Sequence, residues 1–265
     1  DLHKAIRRQR QMCIRDRGDT YDERITITPQ PQSSITIMDQ KTGQIKAMVG
    51  GRGKKASSLG LNRAYQGSKR QPGSTFKILA AYAPALDSCD KTLATTIDDE
   101  PYTLKNGQVL RNANKQYGGT TTLREGIKRS INVVAVKLSD EITQELGYEY
   151  CQKFGISTLV KNKTINGKVF DDSTSQTLAL GGITEGVYNY EMCAAYATIA
   201  NGGEYNKPTL YSKVVDHDGN VLLDGTGESH TVLKDSTAYL LTSAMEDVVN
   251  SGTGTCLLYT SDAAD

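Results

Sequence analysis

The sequence predicts a mixed fold in which antiparallel hairpins and helices occupy separate stretches of chain. Three observations point to it. Apolar residues alternate on both sides of a Gly-containing turn at 35–49, the pattern of half-buried hairpin strands, and a second Gly-containing turn at 216–219 is flanked by two further candidate strands. Residues 76–86 are almost wholly apolar, as in a helix buried on every side. Thr122-Leu123-Arg124-Glu125 is a capping box at the head of another helical stretch. The chain of 265 residues carries 31 Lys+Arg against 30 Asp+Glu, a formal net charge of +1. That balance argues against a nucleic-acid partner held by phosphate neutralisation. No apolar run reaches the roughly 18 residues that a membrane-spanning helix needs.

The two ends are expected to be non-native. Back-translated, residues 256–265 (CLLYTSDAAD) resemble a transposon-end adapter of DNA library preparation. The complementary strand of the same adapter, in one frame, yields residues 7–17. Residues 1–17 and 256–265 are therefore set aside as adapter-derived. They hold six basic residues (Lys4, Arg7, Arg8, Arg10, Arg15, Arg17) and four acidic ones (Asp1, Asp16, Asp262, Asp265), leaving 25 basic and 26 acidic between them. Of five cysteines only Cys89, Cys151 and Cys193 remain. Their wide, irregular spacing suggests neither a metal site nor a disulfide framework.

The elements follow in order. Residues 18–34 are polar, contain Pro29 and Pro31, and read as a linker. Strands at 35–39 and 45–49 flank Gln40-Lys41-Thr42-Gly43, and 50–60 is a glycine-rich loop. Pro84 is expected to bend or end the helix of 76–86. Residues 98–119 are polar and read as irregular. The helix opened by Thr122 should break near Ser130, with a second running from about Val133 to Glu145. Residues 178–182 lead to a helix at 190–200, stopped by Asn201-Gly202-Gly203. A second hairpin (210–215 and 220–223) turns on Asp216-His217-Asp218-Gly219, and 238–249 is the last helix.

Chemistry concentrates in Arg70-Gln71-Pro72-Gly73-Ser74-Thr75-Phe76-Lys77. Pro and Gly turn the chain into a helix, and a spacing of three puts the Lys77 amine on the face of the Ser74 hydroxyl. A serine hydroxyl is a poor nucleophile until a neighbour takes its proton. A lysine does this when burial or nearby positive charge lowers its pKa. The helix start also offers N–H groups to a developing oxyanion. Ser-x-x-Lys occurs twice, but the other copy, Ser88 to Lys91, lies among polar residues and reads as a solvated pair. Ser130-Ile131-Asn132 is the one Ser-x-Asn in the chain and falls between two helices. Local capping would also suit Ser and Asn there. Alongside the Ser74 motif, a catalytic role is the stronger reading.

The order Ser-x-x-Lys then Ser-x-Asn resembles penicillin-binding proteins and serine β-lactamases. Asn62-Arg63-Ala64, residues 70–77, 122–136, Leu178-Ala179-Leu180-Gly181-Gly182 and 194–203 narrow the resemblance to the transpeptidase domain of class A, bifunctional penicillin-binding proteins, over about 34–255. The resemblance implies an α+β fold, with an antiparallel sheet flanked by helices plus a helical lobe, and the later sheet strands missing. It implies a D,D-transpeptidase of peptidoglycan synthesis with Ser74 as nucleophile, Lys77 as its base, Ser130 as proton relay, and Asn132 binding substrate and placing Lys77. Implied partners are peptidoglycan stem peptides and β-lactam antibiotics, with no metal or organic cofactor. Implied localisation is the extracytoplasmic face of the bacterial cytoplasmic membrane, with membrane attachment only through an upstream segment of the parent. The family's third motif, Lys-Thr/Ser-Gly on a strand after Ser-x-Asn, has one match here, Lys41-Thr42-Gly43. It precedes Ser74 and sits in a hairpin turn, so it is read as turn chemistry. Residues 251–255 look like the family segment leading to the true motif, where the adapter begins. The fragment itself is expected to be inactive and poorly stable.

Alternative readings are a serine β-lactamase, a β-lactam sensor domain and a non-catalytic wall scaffold. The first needs a group that activates water for deacylation, for which there is no clear candidate. The second needs a membrane signalling segment. The intact Ser74, Lys77, Ser130 and Asn132 set argues against the third. Gly51-Arg52-Gly53 mimics a dinucleotide fingerprint without a capped helix after it. Asp216, Asp218 and Asn220 mimic a calcium loop but lack its glycine and closing glutamate. Asn162-Lys163-Thr164 fits a glycosylation sequon that short sequences often match by chance, and His217 and His230 are read as surface residues.

Overall fold

The computed structural model describes residues 31–53, 58, 60–65, 67–225 and 227–261. Residues 1–17 and 262–265 of the adapter assignment, and 18–30 of the linker, lie outside the described residues. The fold is α+β, and every strand pair is antiparallel. Among the described residues the strands form six two-stranded sheets. β1 (Ile35–Met38) and β2 (Ile45–Val49) make the expected first hairpin. Its turn holds the Lys-Thr-Gly triplet: Gly43 sits at φ 73°, its N–H donates to Asp39 O at 2.9 Å, and Lys41 N donates to Asp39 Oδ1 at 2.9 Å.

The apolar stretch forms the centre of the core. Phe76, Leu79, Ala80, Ala81, Tyr82 and Ala83 are fully buried. Pro84 does not end this helix. A 3₁₀ turn (Gly73–Thr75) leads into a π-helical turn (Ile78–Tyr82), then α1 (Ala83–Ser88). Pro84 has no N–H to give the carbonyl one turn back. The wide turn just before it changes the pairing, so Ala83 N–H bonds Ile78 O. It then places Pro84 in the first turn of α1, where a missing N–H costs nothing.

The stretch 98–119 is not irregular. β3 (Thr96–Asp99) pairs with β6 (Gly119–Thr122), and β4 (Tyr102–Thr103) with β5 (Val109–Leu110). Each strand is four residues or fewer, too short for a two-residue period to stand out, and the two longer ones, β3 and β6, are mostly polar. α2 (Leu123–Lys128) starts as expected, with Thr122 Oγ1 accepting from Glu125 N at 3.2 Å. The expected helix of 133–145 ends at Ile142 as α3 (Asn132–Ile142), and α4 (Gln144–Lys153) is a further helix lying mostly beyond the expected range. Thr143 divides them at φ 74°, and its hydroxyl caps α4. α4 packs on the buried helix through Gly147, where a Cβ would lie 2.3 Å from Ala80 O.

A hairpin absent from the sequence reading, β7 (Lys163–Ile165) and β8 (Lys168–Phe170), turns on Asn166-Gly167, both at positive φ. α5 (Asn189–Ala200) covers β1, and Thr36 Oγ1 donates to Asn189 Oδ1 at 2.7 Å. β9 (Glu204–Asn206) pairs with β12 (Ser229–Thr231). The second hairpin is β10 (Lys213–Val215) and β11 (Val221–Asp224). α6 (Asp235–Ser251) begins three residues before the expected start. A six-residue helix α7 (Cys256–Ser261) follows, within the stretch assigned to the adapter. Among the described residues no helix is long and apolar enough to cross a membrane.

Candidate active site

The segment before Ser74 is held by main-chain contact with 181–187. Arg70 and Val187 exchange backbone hydrogen bonds at 3.0 and 2.8 Å. Gln71 bonds the Ile183 backbone at both ends of its amide, accepting at 2.9 Å and donating at 2.5 Å. A Cβ on Gly181 would lie 2.3 Å from Gly73 O, and one on Gly186 would lie 2.7 Å from the Arg70 carbonyl carbon. Both are at positive φ, so glycine is required there for space and for conformation. The Leu-Ala-Leu-Gly-Gly stretch thus helps hold the Ser74 turn in place. From α5, Tyr196 Oη donates to Thr75 O at 2.6 Å.

Ser74 is exposed in the 3₁₀ turn, and its hydroxyl bonds no other described residue. Lys77, three residues on, is only 2% exposed. Its Nζ donates to Ser130 O at 2.6 Å, Ser130 Oγ at 3.1 Å and Asn132 Oδ1 at 2.7 Å. Burial pushes its pKa down to about 8. The structure therefore brings Lys77, Ser130 and Asn132 into direct contact. Ser74 joins Lys77 and Ser130 in lining one cavity of about 430 Å³, with Tyr82, Tyr196 and Leu257 among the other walls.

Ser130 links α2 to α3 at φ 52°, an uncommon conformation for a residue with a Cβ. The link is tied by Ser130 N to Ile127 O and Ile131 N to Gly126 O, both 3.0 Å. Two residues of the supposedly irregular stretch reach Asn132. Arg111 O accepts from its Nδ2 at 2.9 Å, and Asn112 Oδ1 accepts from its backbone N at 3.0 Å. No spacing in the sequence singles these out, since their partners are 20 and 21 residues away.

The rejected patterns stay apart from this site. Ser88 Oγ donates to Pro84 O, while Lys91 pairs with Glu141. Asp216 is the acceptor of its own turn, from Asp218 N and Asn220 N. No cluster of three metal-binding side chains occurs among the described residues. His217 and His230 are exposed, the latter bonding Lys153 O at 2.8 Å.

Comparison with known proteins points to one domain family. The family model of the penicillin binding protein transpeptidase domain matches residues 33–262. Penicillin-binding protein 1A of Clostridium tetani (strain Massachusetts / E88) is 35% identical over 233 residues, 83% of this chain and 28% of that protein. Penicillin-binding protein 1A/1B of Bacillus subtilis (strain 168) is 29% identical over 239 residues, 89% of this chain and 24% of that protein. The chain thus spans about a quarter of the length of these relatives. The PonA1 protein of Mycobacterium tuberculosis, solved with penicillin V, superposes with a TM-score of 0.68 at 26% identity, covering 83% of this chain and 56% of that one. Penicillin-binding protein 1A of Haemophilus influenzae gives 0.67 at 25% identity over 84% of this chain and 36% of that one. With a buried lysine shared between a serine and an asparagine, and a family match across nearly all the described residues, this chain belongs to the penicillin-binding protein transpeptidase domain family.

Proposed function

We propose that this chain carries the acyl-transfer site of a peptidoglycan D,D-transpeptidase. The observation that supports it most is Lys77: a nearly inaccessible amine bonded to Ser130 and Asn132, in the cavity that the Ser74 hydroxyl lines. Ser74 Oγ attacks the carbonyl carbon between the two terminal D-alanines of a stem peptide. Its proton passes to the neutral Lys77 amine. With the pKa lowered to about 8, on the order of a tenth of the amine is neutral at pH 7. As an ammonium Lys77 fills three acceptors; as an amine it keeps two donors and turns a lone pair toward Ser74.

The C–N bond then breaks. Ser130 Oγ gives its proton to the leaving amine and regains one from Lys77. Asn132 holds Lys77 through Oδ1 and meets the substrate amide. An amine of a neighbouring stem attacks the resulting ester, releasing Ser74 and forming the cross-link. A β-lactam acylates Ser74 by the same route, its ring amide opening, and leaves slowly. None of these steps calls for a metal or organic cofactor. Substrates of this kind place the site on the extracytoplasmic face of the membrane.

The Lys-Thr/Ser-Gly motif does not recur after Asn132 in this sequence. By resemblance its strand supplies one oxyanion N–H and binds the substrate carboxylate. Loss of one such donor costs about 100- to 1000-fold in rate, so this chain alone should turn over little. The test is incubation with a fluorescent penicillin. Faint or absent labelling of this chain is expected, with strong labelling once the chain continues through the third motif. In that longer chain Ser74→Ala abolishes labelling. Labelling that survives Ser74→Ala would sink the site assignment, and efficient labelling of the present chain would sink its inactivity.

A further inference from the structure

α3 begins without a cap of its own, because Ile131 stands at its N-cap position and has no side-chain acceptor. Its first two N–H groups are instead taken by a side chain from another part of the chain. Asn112 Oδ1 accepts from Asn132 N at 3.0 Å and from Val133 N at 3.2 Å. The other end of that amide, Nδ2, donates to Asp99 Oδ1 at 2.8 Å and to Gln116 O at 2.9 Å. Asp99 Oδ2 in turn accepts from Gly118 N at 2.8 Å. Asn112 and Asp99 are 7% and 3% exposed.

These bonds have only one consistent sense. The Asp99 oxygens accept, so Nδ2 of Asn112 must face Asp99 and Oδ1 must face the helix. Arg111 O settles the next amide in the same way, taking Nδ2 of Asn132 and leaving its Oδ1 for Lys77. The segment 111–112 therefore grips Asn132 by backbone and side chain together.

We propose that Asn112, oriented by Asp99, is a positioning residue that sets where Asn132 and Ser130 meet the Lys77 amine. The inference rests on the acyl-transfer reading for its importance, since it assigns what holds that site's second arm. Asn112 acts through the start of α3 and is not itself a catalytic residue.

The test uses the whole chain labelled with 15N-asparagine. The Asn132 side-chain amide signal is assigned by its loss in Asn132→Ala. In the parent this signal moves with pH as Lys77 titrates, with a midpoint near 8. In Asn112→Ala the movement falls at least threefold. The exchanged pair Asp99→Asn with Asn112→Asp restores an acceptor to the helix and a donor–acceptor bond between the two residues, and should recover most of it. Should Asn112→Ala not fold, Asn112→Gln keeps the amide but displaces it by one methylene, and the same fall is expected. Ile156→Val loosens the core outside the cavity and should leave the movement intact. Full movement in the Asn112 variants, or an equal fall in Ile156→Val, would overturn the positioning role alone. No movement of the signal at any pH between about 6 and 11 in the parent would instead remove the Lys77–Asn132 contact, and with it the acyl-transfer reading.

Discussion

The two arms of the site are held by opposite means. The turn that presents Ser74 is fixed by absence: Gly181 and Gly186 leave room for the backbone of Gly73 and Arg70 to come within contact. The arm that presents Ser130 and Asn132 is fixed by buried polar atoms, those of Asn112 and Asp99. The first is broken by adding one carbon and the second by removing a few atoms. Packing tolerates no extra volume where backbones touch, whereas a buried polar group fails when its partner is deleted.

Gly181→Ala should be the most damaging change. It places a Cβ 2.3 Å from Gly73 O at a positive φ, and should cost on the order of 4 kcal/mol by urea denaturation. An unchanged midpoint would show that the Ser74 arm has slack. Lys77, where the arms meet, comes next. Its pKa is lowered on folding from 10.5 to about 8, so between those values the unfolded chain binds more protons. Stability attributable to this group therefore rises with pH across that window, by on the order of 3 kcal/mol by pH 10.5. The rise should vanish in Lys77→Met; parallel pH profiles for the two proteins would contradict it.

Asp99→Ala leaves Asn112 Nδ2 and Gly118 N without their carboxylate. It should lower stability by about 2 kcal/mol, and the polar arm would prove unimportant if thermal melting did not shift. Thr122→Ala is the mildest, removing the cap of α2 ahead of Ser130, at about 1 kcal/mol. A loss as large as that of Asp99→Ala would mean that capping, not the buried pair, holds this arm.

The sequence made the Ser74 arm easy to read and the supports of the other arm invisible. Pro72, Gly73, Ser74 and Lys77 lie close together in the chain, so their spacing carries the turn and the three-residue offset of Lys77 from Ser74, though not the partners of Lys77. The same holds for the Thr122 cap and the first hairpin. Asp99 ends a four-residue strand and Asn112 follows a two-residue one, and their polar surroundings read as a loop although Asn112 caps α3 from 20 residues away. The split at Thr143 was hidden by apolar residues continuing on both sides of it. Asn166-Gly167 is a different kind of miss. It is a strong and wholly local hairpin signal between β7 and β8, just after the glycosylation pattern at Asn162.

The wide turn at Ile78–Tyr82 also has a consequence for how residues are counted. An α-helix advances about 100° per residue, and a π turn inserts one residue without a matching advance along the axis. Ser74 and Lys77 lie on one side of that insertion. Asp87, which accepts from Lys234 N at 2.8 Å and Tyr150 Oη at 2.7 Å, lies on the other. The turn acts as a phase offset between the end that faces the cavity and the end that anchors the helix. Deleting a single residue from 78–82 could yield a more regular helix, yet one in which the lysine and its anchor no longer point their separate ways at once.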